Sequence, residues 1–262
     1  DLVAGLATCS IGHGNKKVAE AVCAQSKKLL NVTNLYYTEQ QVVLAKKLAK
    51  ISGLSKCFFC NSGAEANEAA IKLARKHTEK TDIIATKHAF HGRTLGALSA
   101  TWKEKLRKKF EPTVPGFTFV DYNNMQAVED AITEKTAAVI VEPIQGESGI
   151  IMHDEDYLVK LKKLCEKKNI LLVLDEVQTG TGRTGKFFAY LHYNVKPDIV
   201  TVAKGLANGI PIGVMMAGKG IDFDKGDHAS TFGGNSLSCA AANATIDFIM
   251  KNKLMGNAVK RG

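Results

Sequence analysis

The feature that most constrains the fold is a run of consecutive apolar residues, Ile170-Leu-Leu-Val-Leu174, followed directly by Asp175. A strand with one solvated face alternates apolar and polar residues, whereas a strand covered on both faces is apolar throughout. The run is also too short for a typical helix, so it predicts a central strand of a sheet with helices on both sides. Other segments with the length and composition of strands lie at residues 57–60, 82–86, 117–121, 137–142, 199–203 and 212–217.

Amphipathic helical patterns separate several of these strands, at residues 64–77, 125–134 and 156–168. Strands that alternate with helices are typical of α/β proteins, so we expect a mostly parallel central sheet flanked by helices. The 262 residues, 45% of them hydrophobic, suffice for one large domain. No apolar run approaches the roughly 20 residues needed to cross a bilayer, and residues 1–10 do not resemble a signal peptide. We therefore expect a cytoplasmic protein that does not bind membranes.

The formal net charge of +9 raises the question of a nucleic-acid partner. At residues 158–168, however, lysines alternate with apolar residues at helical spacing, as on a solvated outer face. No aromatic-basic stacking motif accompanies the charge, so nucleic-acid binding is not expected. Cys57 and Cys60 are the only close pair among six cysteines. Residues three apart in a strand point to opposite faces, and no second pair completes a zinc site, so we expect buried thiols and no metal.

The candidate functional residues follow the predicted strands. In open α/β sheets, ligands bind beyond the carboxyl ends of the strands, so polar residues at these positions belong to one rim. The segments are Asn61-Ser-Gly-Ala-Glu65, His88-Ala-Phe-His-Gly-Arg93, Glu142-Pro-Ile-Gln-Gly-Glu147, Asp175-Glu-Val-Gln178 and Lys204-Gly205.

Two of these side chains carry the strongest chemical signal. Asp175 ends a strand that is predicted to be buried, where a carboxylate requires a partner. That partner is either the protonated ring nitrogen of a cofactor or, alternatively, a helix cap or ion pair within the protein. Lys204 closes another apolar strand, and partial burial would make its amine a usable nucleophile toward an aldehyde.

Two glycine-containing motifs allow weaker inferences. Ser62 and Glu65 fit a capping box at a helix start, where the N–H groups of Gly63 and Ala64 could also bind an anion. Residues 180–185 match the dinucleotide-binding pattern by letter. The stretch after them has no helical stripe, so a nicotinamide cofactor is not expected.

These motifs closely resemble those of the class III (ω-) aminotransferases over essentially the whole chain. The resemblance rests on Asn34-Leu-Tyr-Tyr-Thr38, Asn61-Ser-Gly-Ala-Glu-Ala-Asn-Glu68, Phe90-His-Gly-Arg-Thr-Leu-Gly-Ala-Leu-Ser99, Glu142-Pro-Ile-Gln-Gly-Glu147, Asp175-Glu-Val-Gln178 and His228-Ala-Ser-Thr-Phe-Gly-Gly-Asn235. It implies a fold-type I transferase that depends on pyridoxal 5'-phosphate. Residues 1–52 would form an N-terminal segment and residues 53–262 the large cofactor-binding domain, with the family's N-terminal start and C-terminal small domain missing.

The resemblance also implies a role for each matching residue. The residues assigned to the cofactor are Gly63, Ala64, Phe90, Asp175, Glu176, Val177, Gln178, Lys204 and Thr231, and those assigned to the substrate are Arg93, Ser230, Glu142 and Glu147. Lys204 would bind the cofactor covalently as an imine and move protons, and Asp175 would pair with the pyridine nitrogen. Gln178 would approach the ring hydroxyl, and Phe90 would stack on the ring. Thr231 would reach the cofactor phosphate of a partner subunit, which implies a homodimer with shared active sites.

Within this family the sequence is most similar to members that act on N2-acetylornithine. The expected reaction moves the terminal amino group of that donor to 2-oxoglutarate in arginine biosynthesis, and an isolated fragment would be inactive. The alternatives are another ω-aminotransferase (acting on ornithine, succinylornithine, 4-aminobutyrate or an aminoadipate-derived substrate), a related aminomutase, and a non-catalytic protein that kept the fold.

Overall fold

The computed structural model describes residues 1–33 and 35–262, and a seven-stranded sheet lies at its centre. The strands are β1 (Lys56–Cys60), β2 (Asp82–Thr86), β3 (Phe117–Val120), β4 (Thr136–Val141), β5 (Leu171–Asp175), β6 (Ile199–Val202) and β7 (Gly213–Ala217). Their spatial order is β1-β7-β6-β5-β4-β2-β3. The pairs from β3 through β6 are parallel, and β7 runs antiparallel to both of its neighbours. The predicted mostly parallel sheet is confirmed.

Helices cover both faces of the sheet. They are α1 (Ala4–Ala7), α2 (Lys16–Ser26), α3 (Glu39–Ser52), α4 (Gly63–Thr78), α5 (Leu95–Ser99), α6 (Glu104–Arg107), α7 (Met125–Ala131), α8 (Tyr157–Lys168), α9 (Ser236–Lys251) and α10 (Leu254–Arg261), with 3-10 turns at Lys108–Phe110, Ala189–His192 and Lys204–Ala207. Among the described residues, no helix is both long and apolar enough to cross a membrane.

Strand β5 shows why its residues are all apolar. Successive side chains of a strand point to opposite faces. Leu172 therefore joins a core that contains Leu161 of α8, while Val173 joins a second core that contains Leu73 of α4. All five residues of β5, including Asp175, are buried. The sheet thus separates two cores, as the uninterrupted apolar run predicts.

The structure differs from the sequence prediction in some boundaries. Helix α7 ends at Ala131, although the pattern predicts helix to residue 134. The cause is a local turn, in which the Thr133 N–H donates to Thr136 Oγ1 and the Thr136 N–H donates to the Thr133 carbonyl. The prediction also assigned no element to α2, α3 or α9, which pack together on one side. The division into an N-terminal segment (1–52) and a large domain (53–262) stays a prediction. Asn34, the first residue of the motif at residues 34–38, lies outside the described residues.

Candidate active site

The carboxyl ends of the parallel strands surround a cavity of about 410 Å³. Because β7 runs the other way, its amino end lies at the same rim. Ten of the thirteen sequence-predicted site residues line the cavity: Gly63, Ala64, Phe90, Arg93, Glu142, Glu147, Asp175, Val177, Gln178 and Lys204. The structure therefore brings together residues that lie up to 141 positions apart in the sequence (204 − 63).

Lys204 lies two residues beyond the end of β6 and begins a 3-10 turn. Its side chain is half-buried and lines the cavity. Within the described part of the chain, its amine has no hydrogen-bond or ion-pair partner. Its backbone has φ of +41°, a left-handed conformation that costs a non-glycine residue about 1–3 kcal/mol. The surrounding fold therefore holds this lysine in an unfavourable backbone conformation, with a free amine at the cavity.

Asp175 is the last residue of β5 and is only 3% exposed, yet it lines the cavity. Its Oδ2 accepts hydrogen bonds from His91 Nδ1 and Asn67 Nδ2, each at 2.7 Å. Its Oδ1 accepts from the Val177 N–H at 2.9 Å. These donors compensate the loss of water around the carboxylate and hold it in one orientation at the cavity floor.

Three residues around Asp175 were not singled out by the sequence analysis. Asn67 comes from α4, His91 from the loop after β2, and Thr201 from β6, where it lies opposite Asp175 in the strand register. The Thr201 hydroxyl donates to Asn67 Oδ1 at 2.7 Å, which fixes the amide so that its Nδ2 faces Asp175. A signal was available for Asn67, since it interrupts the apolar stripe of the predicted helix.

The tautomer of His91 follows from its neighbours. An ionised carboxylate only accepts, so Nδ1 carries the hydrogen that bonds Asp175. The side chain is fully buried, and its Nε2 has no partner among the described residues.

The amino end of α4 forms another wall of the cavity. The Ser62 hydroxyl accepts the Glu65 N–H at 3.1 Å, as a capping box requires. The Glu65 carboxylate does not complete the box, because its Oε2 accepts the Asn61 N–H instead of that of Ser62. Gly63 and Ala64 belong to the first turn, whose N–H groups have no partner within the helix, and both line the cavity. This end of α4 suits an anionic group such as a phosphate.

Glu142 is a buried carboxylate in the cavity wall. Its Oε1 accepts the Phe90 N–H at 2.9 Å, and its Oε2 accepts the Gly146 N–H at 3.2 Å. Burial raises the pKa of Glu142 to about 7, and the nearby Asp175 acts in the same direction, while His91 and the two N–H donors lower it. The side chain thus joins two loops of the site and titrates close to neutral pH.

Arg93 and Glu147 lie at the solvent side of the cavity, where both are exposed. The Arg93 guanidinium lies 5.6 Å from the centre of the Phe90 ring, within the range of a cation–π contact. Their exposure and charge fit a substrate group that enters from solvent.

Three predicted site residues do not line the cavity. The Glu176 side chain turns into the protein, where it accepts the Thr179 hydroxyl and the Tyr190 N–H. It is fully buried, burial raises its pKa to about 7, and its role is to hold the following loop. Ser230 and Thr231 lie outside the cavity as well; the Ser230 hydroxyl accepts from the Gly233 N–H. In the described part of the chain, no cluster of His, Cys, Asp and Glu side chains is placed to hold a metal ion.

Comparisons with known proteins show the family of this chain. The family model described as Aminotransferase class-III matches residues 1–262. The acetylornithine aminotransferase of Methanocaldococcus jannaschii is 50% identical over 257 residues, which cover 95% of this chain and 65% of that protein. The protein of the same name from Gloeobacter violaceus is 48% identical over 100% of this chain and 67% of its own length.

Solved structures show the same fold. The ornithine aminotransferase of Toxoplasma gondii superposes with a TM-score of 0.93 at 34% identity, over 97% of this chain and 63% of that one. The acetylornithine aminotransferase of Elizabethkingia anophelis gives a TM-score of 0.83 at 33% identity, over 97% and 63% of the two chains. The chain thus spans about two thirds of the length of its relatives. It belongs to the class III aminotransferases, a family of pyridoxal-phosphate-dependent enzymes.

Proposed function

We propose that the full-length protein transfers the terminal amino group of N2-acetylornithine to 2-oxoglutarate. The products are N-acetylglutamate 5-semialdehyde and glutamate, and the reaction is a step of arginine biosynthesis. The supporting sequence observation is that relatives named acetylornithine aminotransferase are about 50% identical to this chain. The structural observation that carries the proposal is that a free amine, a buried carboxylate and the amino end of a helix line one cavity.

The residues of this cavity fit pyridoxal phosphate. The group has a phosphate, an aldehyde, a ring hydroxyl and a ring nitrogen that is protonated when it pairs with a carboxylate. Gly63 and Ala64 would hold the phosphate, Lys204 would react with the aldehyde, and Asp175 would pair with the ring nitrogen. Gln178 would approach the ring hydroxyl. Each polar group of the cofactor thus has a partner on the protein with suitable charge or hydrogen-bonding capacity.

Pyridoxal phosphate, when bound, supplies a carbonyl that takes up an amino group and a ring that stabilises negative charge on carbon. The Lys204 amine would act as the base that takes a proton from the substrate carbon and returns it. The Asp175 carboxylate would favour a positive charge at the ring nitrogen, and the hydrogen bonds from His91 and Asn67 hold that carboxylate in place. Phe90 and Val177 provide apolar walls that exclude water.

The exposed rim supplies candidate groups for the substrate. The Arg93 guanidinium can bind a carboxylate in a bidentate manner. Glu147 lies on the same cavity and can neutralise an arginine when no substrate carboxylate is present. Both proposed substrates, the amino acid and the 2-oxo acid, carry carboxylates.

The experiment that tests the function is visible absorbance of the full-length protein loaded with pyridoxal phosphate. Addition of N2-acetylornithine should bleach the band of the lysine-bound cofactor, and 2-oxoglutarate should restore it. Lys204→Ala should lose the band, whereas Lys163→Ala, an exposed lysine on α8, should keep it. Continued turnover of the donor without any external acceptor would indicate an aminomutase, and no response to any ω-amine would refute the proposal.

Ornithine is the second candidate donor, because an ornithine aminotransferase is among the solved structures with a high TM-score. A panel of N2-acetylornithine, ornithine, succinylornithine and 4-aminobutyrate separates the candidates by kcat/KM. The highest value for free ornithine would replace the proposed substrate and leave the cofactor chemistry intact.

We also propose a homodimer in which Thr231 reaches the cofactor phosphate of the partner subunit. The support is that Thr231 is exposed and lies outside its own chain's cavity, next to Phe232, which is 62% exposed. Mixing Lys204→Ala with Thr231→Ala protein should restore activity, because one of the two shared sites then has both residues. Mixtures that are no more active than their components would contradict shared sites.

A cytoplasmic location is part of the same proposal. It is supported by the six cysteines, all of which are free thiols in the structure. Unpaired thiols are typical of proteins in a reducing compartment. Fractionation of cells that express the full-length protein would test it.

A further inference from the structure

The loop that carries Arg93 continues into the short helix α5, and the start of this helix is capped from another element. Thr94 occupies the N-cap position, but its side chain makes no capping hydrogen bond. Glu68 of α4 takes this role, since its Oε1 accepts the Gly96 N–H at 2.8 Å and the Ala97 N–H at 3.2 Å. A carboxylate that accepts two backbone N–H groups makes strong, directional hydrogen bonds.

The same loop also contacts α4 on the other side of Arg93. Gly92 has φ of +143°, and a Cβ built there would lie 2.7 Å from the Cβ of Ala64. The backbone at Gly92 therefore lies directly against the first turn of α4. Ala64 and Glu68 are one helical turn apart, so the two contacts hold Arg93 between two fixed points of one helix.

Gly96 shows that the contact with Glu68 leaves no spare room. The three atoms nearest to a Cβ built at Gly96 all belong to the Glu68 carboxyl group, and its carbon would be 2.8 Å away. Gly96 has no left-handed φ that would itself exclude alanine. The Glu68 carboxylate is therefore the nearest group that an alanine side chain at position 96 would meet.

From this arrangement we propose that Glu68 is a positioning residue, which fixes Arg93 relative to the phosphate-binding end of α4. Helix α4 thereby sets the distance between the bound cofactor and the guanidinium that receives a substrate carboxylate. Glu68 then determines how strongly the enzyme prefers amino donors that carry a carboxylate. The inference rests on the proposed function of Arg93 and the cavity.

The experiment compares two amino donors on the full-length holoenzyme. N2-acetylornithine and N-acetyl-1,4-diaminobutane are identical except for the carboxylate. Bleaching of the visible band gives the efficiency of the first half-reaction for each, and the measured quantity is the ratio of the two. A general structural defect slows both donors and leaves the ratio unchanged, whereas a displaced Arg93 lowers it.

Glu68→Ala should lower this ratio by about tenfold, since misplacement of a binding group by about 1 Å can cost up to 100-fold. The variant should mainly raise the concentration of N2-acetylornithine needed for the half-maximal rate. Glu68→Gln retains one oxygen acceptor and should recover part of the ratio. Glu166→Ala removes a carboxylate of α8, which packs on β5 and is not part of the site, and should keep the wild-type ratio.

Gly96→Ala provides an independent variant, because the added methyl must push the Glu68 carboxylate aside. It should lower the ratio to a similar extent as Glu68→Ala. The double variant Glu68→Ala/Gly96→Ala should be no worse than Glu68→Ala alone, since the group that the methyl meets is then gone. Additive losses in this cycle would overturn the proposal.

Arg93→Ala separates this inference from the proposed function on which it rests. If Arg93→Ala leaves the ratio unchanged, Arg93 does not bind the donor carboxylate and the proposed role of that residue fails. If Arg93→Ala lowers the ratio and both Glu68→Ala and Gly96→Ala keep it, the proposed function stands and the positioning role of Glu68 is overturned.

Discussion

His91 Nδ1 lies 2.7 Å from Asp175 Oδ2, and both side chains are buried at the floor of the cavity. The histidine therefore donates to a carboxylate that a bound cofactor would need in its ionised form. Hydrogen bonds to charged groups contribute about 1.5–3 kcal/mol, so this contact is large enough to affect cofactor affinity.

We predict that His91→Phe, which keeps the ring volume but removes the donor, weakens pyridoxal phosphate binding by about tenfold or more. His91→Asn places an amide N–H near the position of Nδ1 and should restore part of the affinity. Titration of the apoprotein with pyridoxal phosphate, followed by absorbance, measures both. Equal affinities of wild type and His91→Phe would show that the contact does not support the cofactor site.

Gly213, the first residue of β7, contacts the backbone at the start of α4. A Cβ built at Gly213 would overlap the Ser62 carbonyl oxygen and lie 2.7 Å from its carbon, and backbone atoms cannot move aside easily. Gly213→Ala should therefore displace the first turn of α4, which is the proposed phosphate site, and lower both cofactor affinity and Tm. At Gly256 in α10, no neighbouring group among the described residues lies within 4 Å of an added Cβ. Gly256→Ala should therefore leave cofactor affinity unchanged, and should keep Tm or raise it slightly.

Glu142 should make the protein less stable as the pH rises. Its folded-state pKa of about 7 lies above the ordinary value of 4.5, so the folded state holds the proton more tightly. The contribution of Glu142 to the free energy of unfolding should be fully present below pH 4.5, fall between pH 4.5 and 7 by up to about 1.4 kcal/mol per pH unit, and level off above. Glu176, whose pKa is also raised to about 7 by burial, adds a change of the same sign.

Urea unfolding across this pH range measures the effect. Glu142→Gln should reduce the fall of the free energy of unfolding with pH, because the contribution of Glu142 is removed. Glu166 has an exposed carboxylate on α8, so Glu166→Gln should leave this pH dependence as in the wild type. A Glu142→Gln variant with the wild-type slope would show that Glu142 is not the titrating group.

Leu172 tests the prediction that β5 lies between two cores. The side chain is fully buried, so Leu172→Ala should lower the free energy of unfolding by about 2–5 kcal/mol. Leu2→Ala changes a fully exposed leucine and should alter stability by less than about 0.5 kcal/mol. Chemical unfolding of the two variants distinguishes a central strand from an exposed one.

Local patterns in the sequence were sufficient to predict the strands and most of the residues that line the cavity. The apolar run before Asp175 predicted a strand covered on both faces, and the polar residues after each strand predicted the rim. The antiparallel direction of β7 was not predicted, because apolar periodicity is the same in either direction. The packing of α2 and α3 on α9 also depends on contacts between distant segments.

The surroundings of Asp175 could not be read from local patterns. The sequence predicts a cofactor nitrogen, a helix cap or an ion pair as the partner of Asp175, and the structure shows a network that also includes Asn67 and Thr201. These residues come from different elements, and only the order of the strands brings them together. The resemblance assigned Glu176 to the cofactor, whereas the structure shows its carboxylate bonded to Thr179 and Tyr190 inside the protein, as expected if adjacent residues at a strand end point in opposite directions.

The reversed direction of β7 has a consequence for how this enzyme family could diversify. The connection from Lys204 to Gly213 returns to the sheet beside the strand that it leaves, and Gly209, Ile210, Pro211 and Ile212 line the cavity along the way. Insertions or deletions at residues 208–211 would therefore reshape the space available to a substrate. The pairing of β6 with β7, which places Lys204 at the cavity, would be preserved.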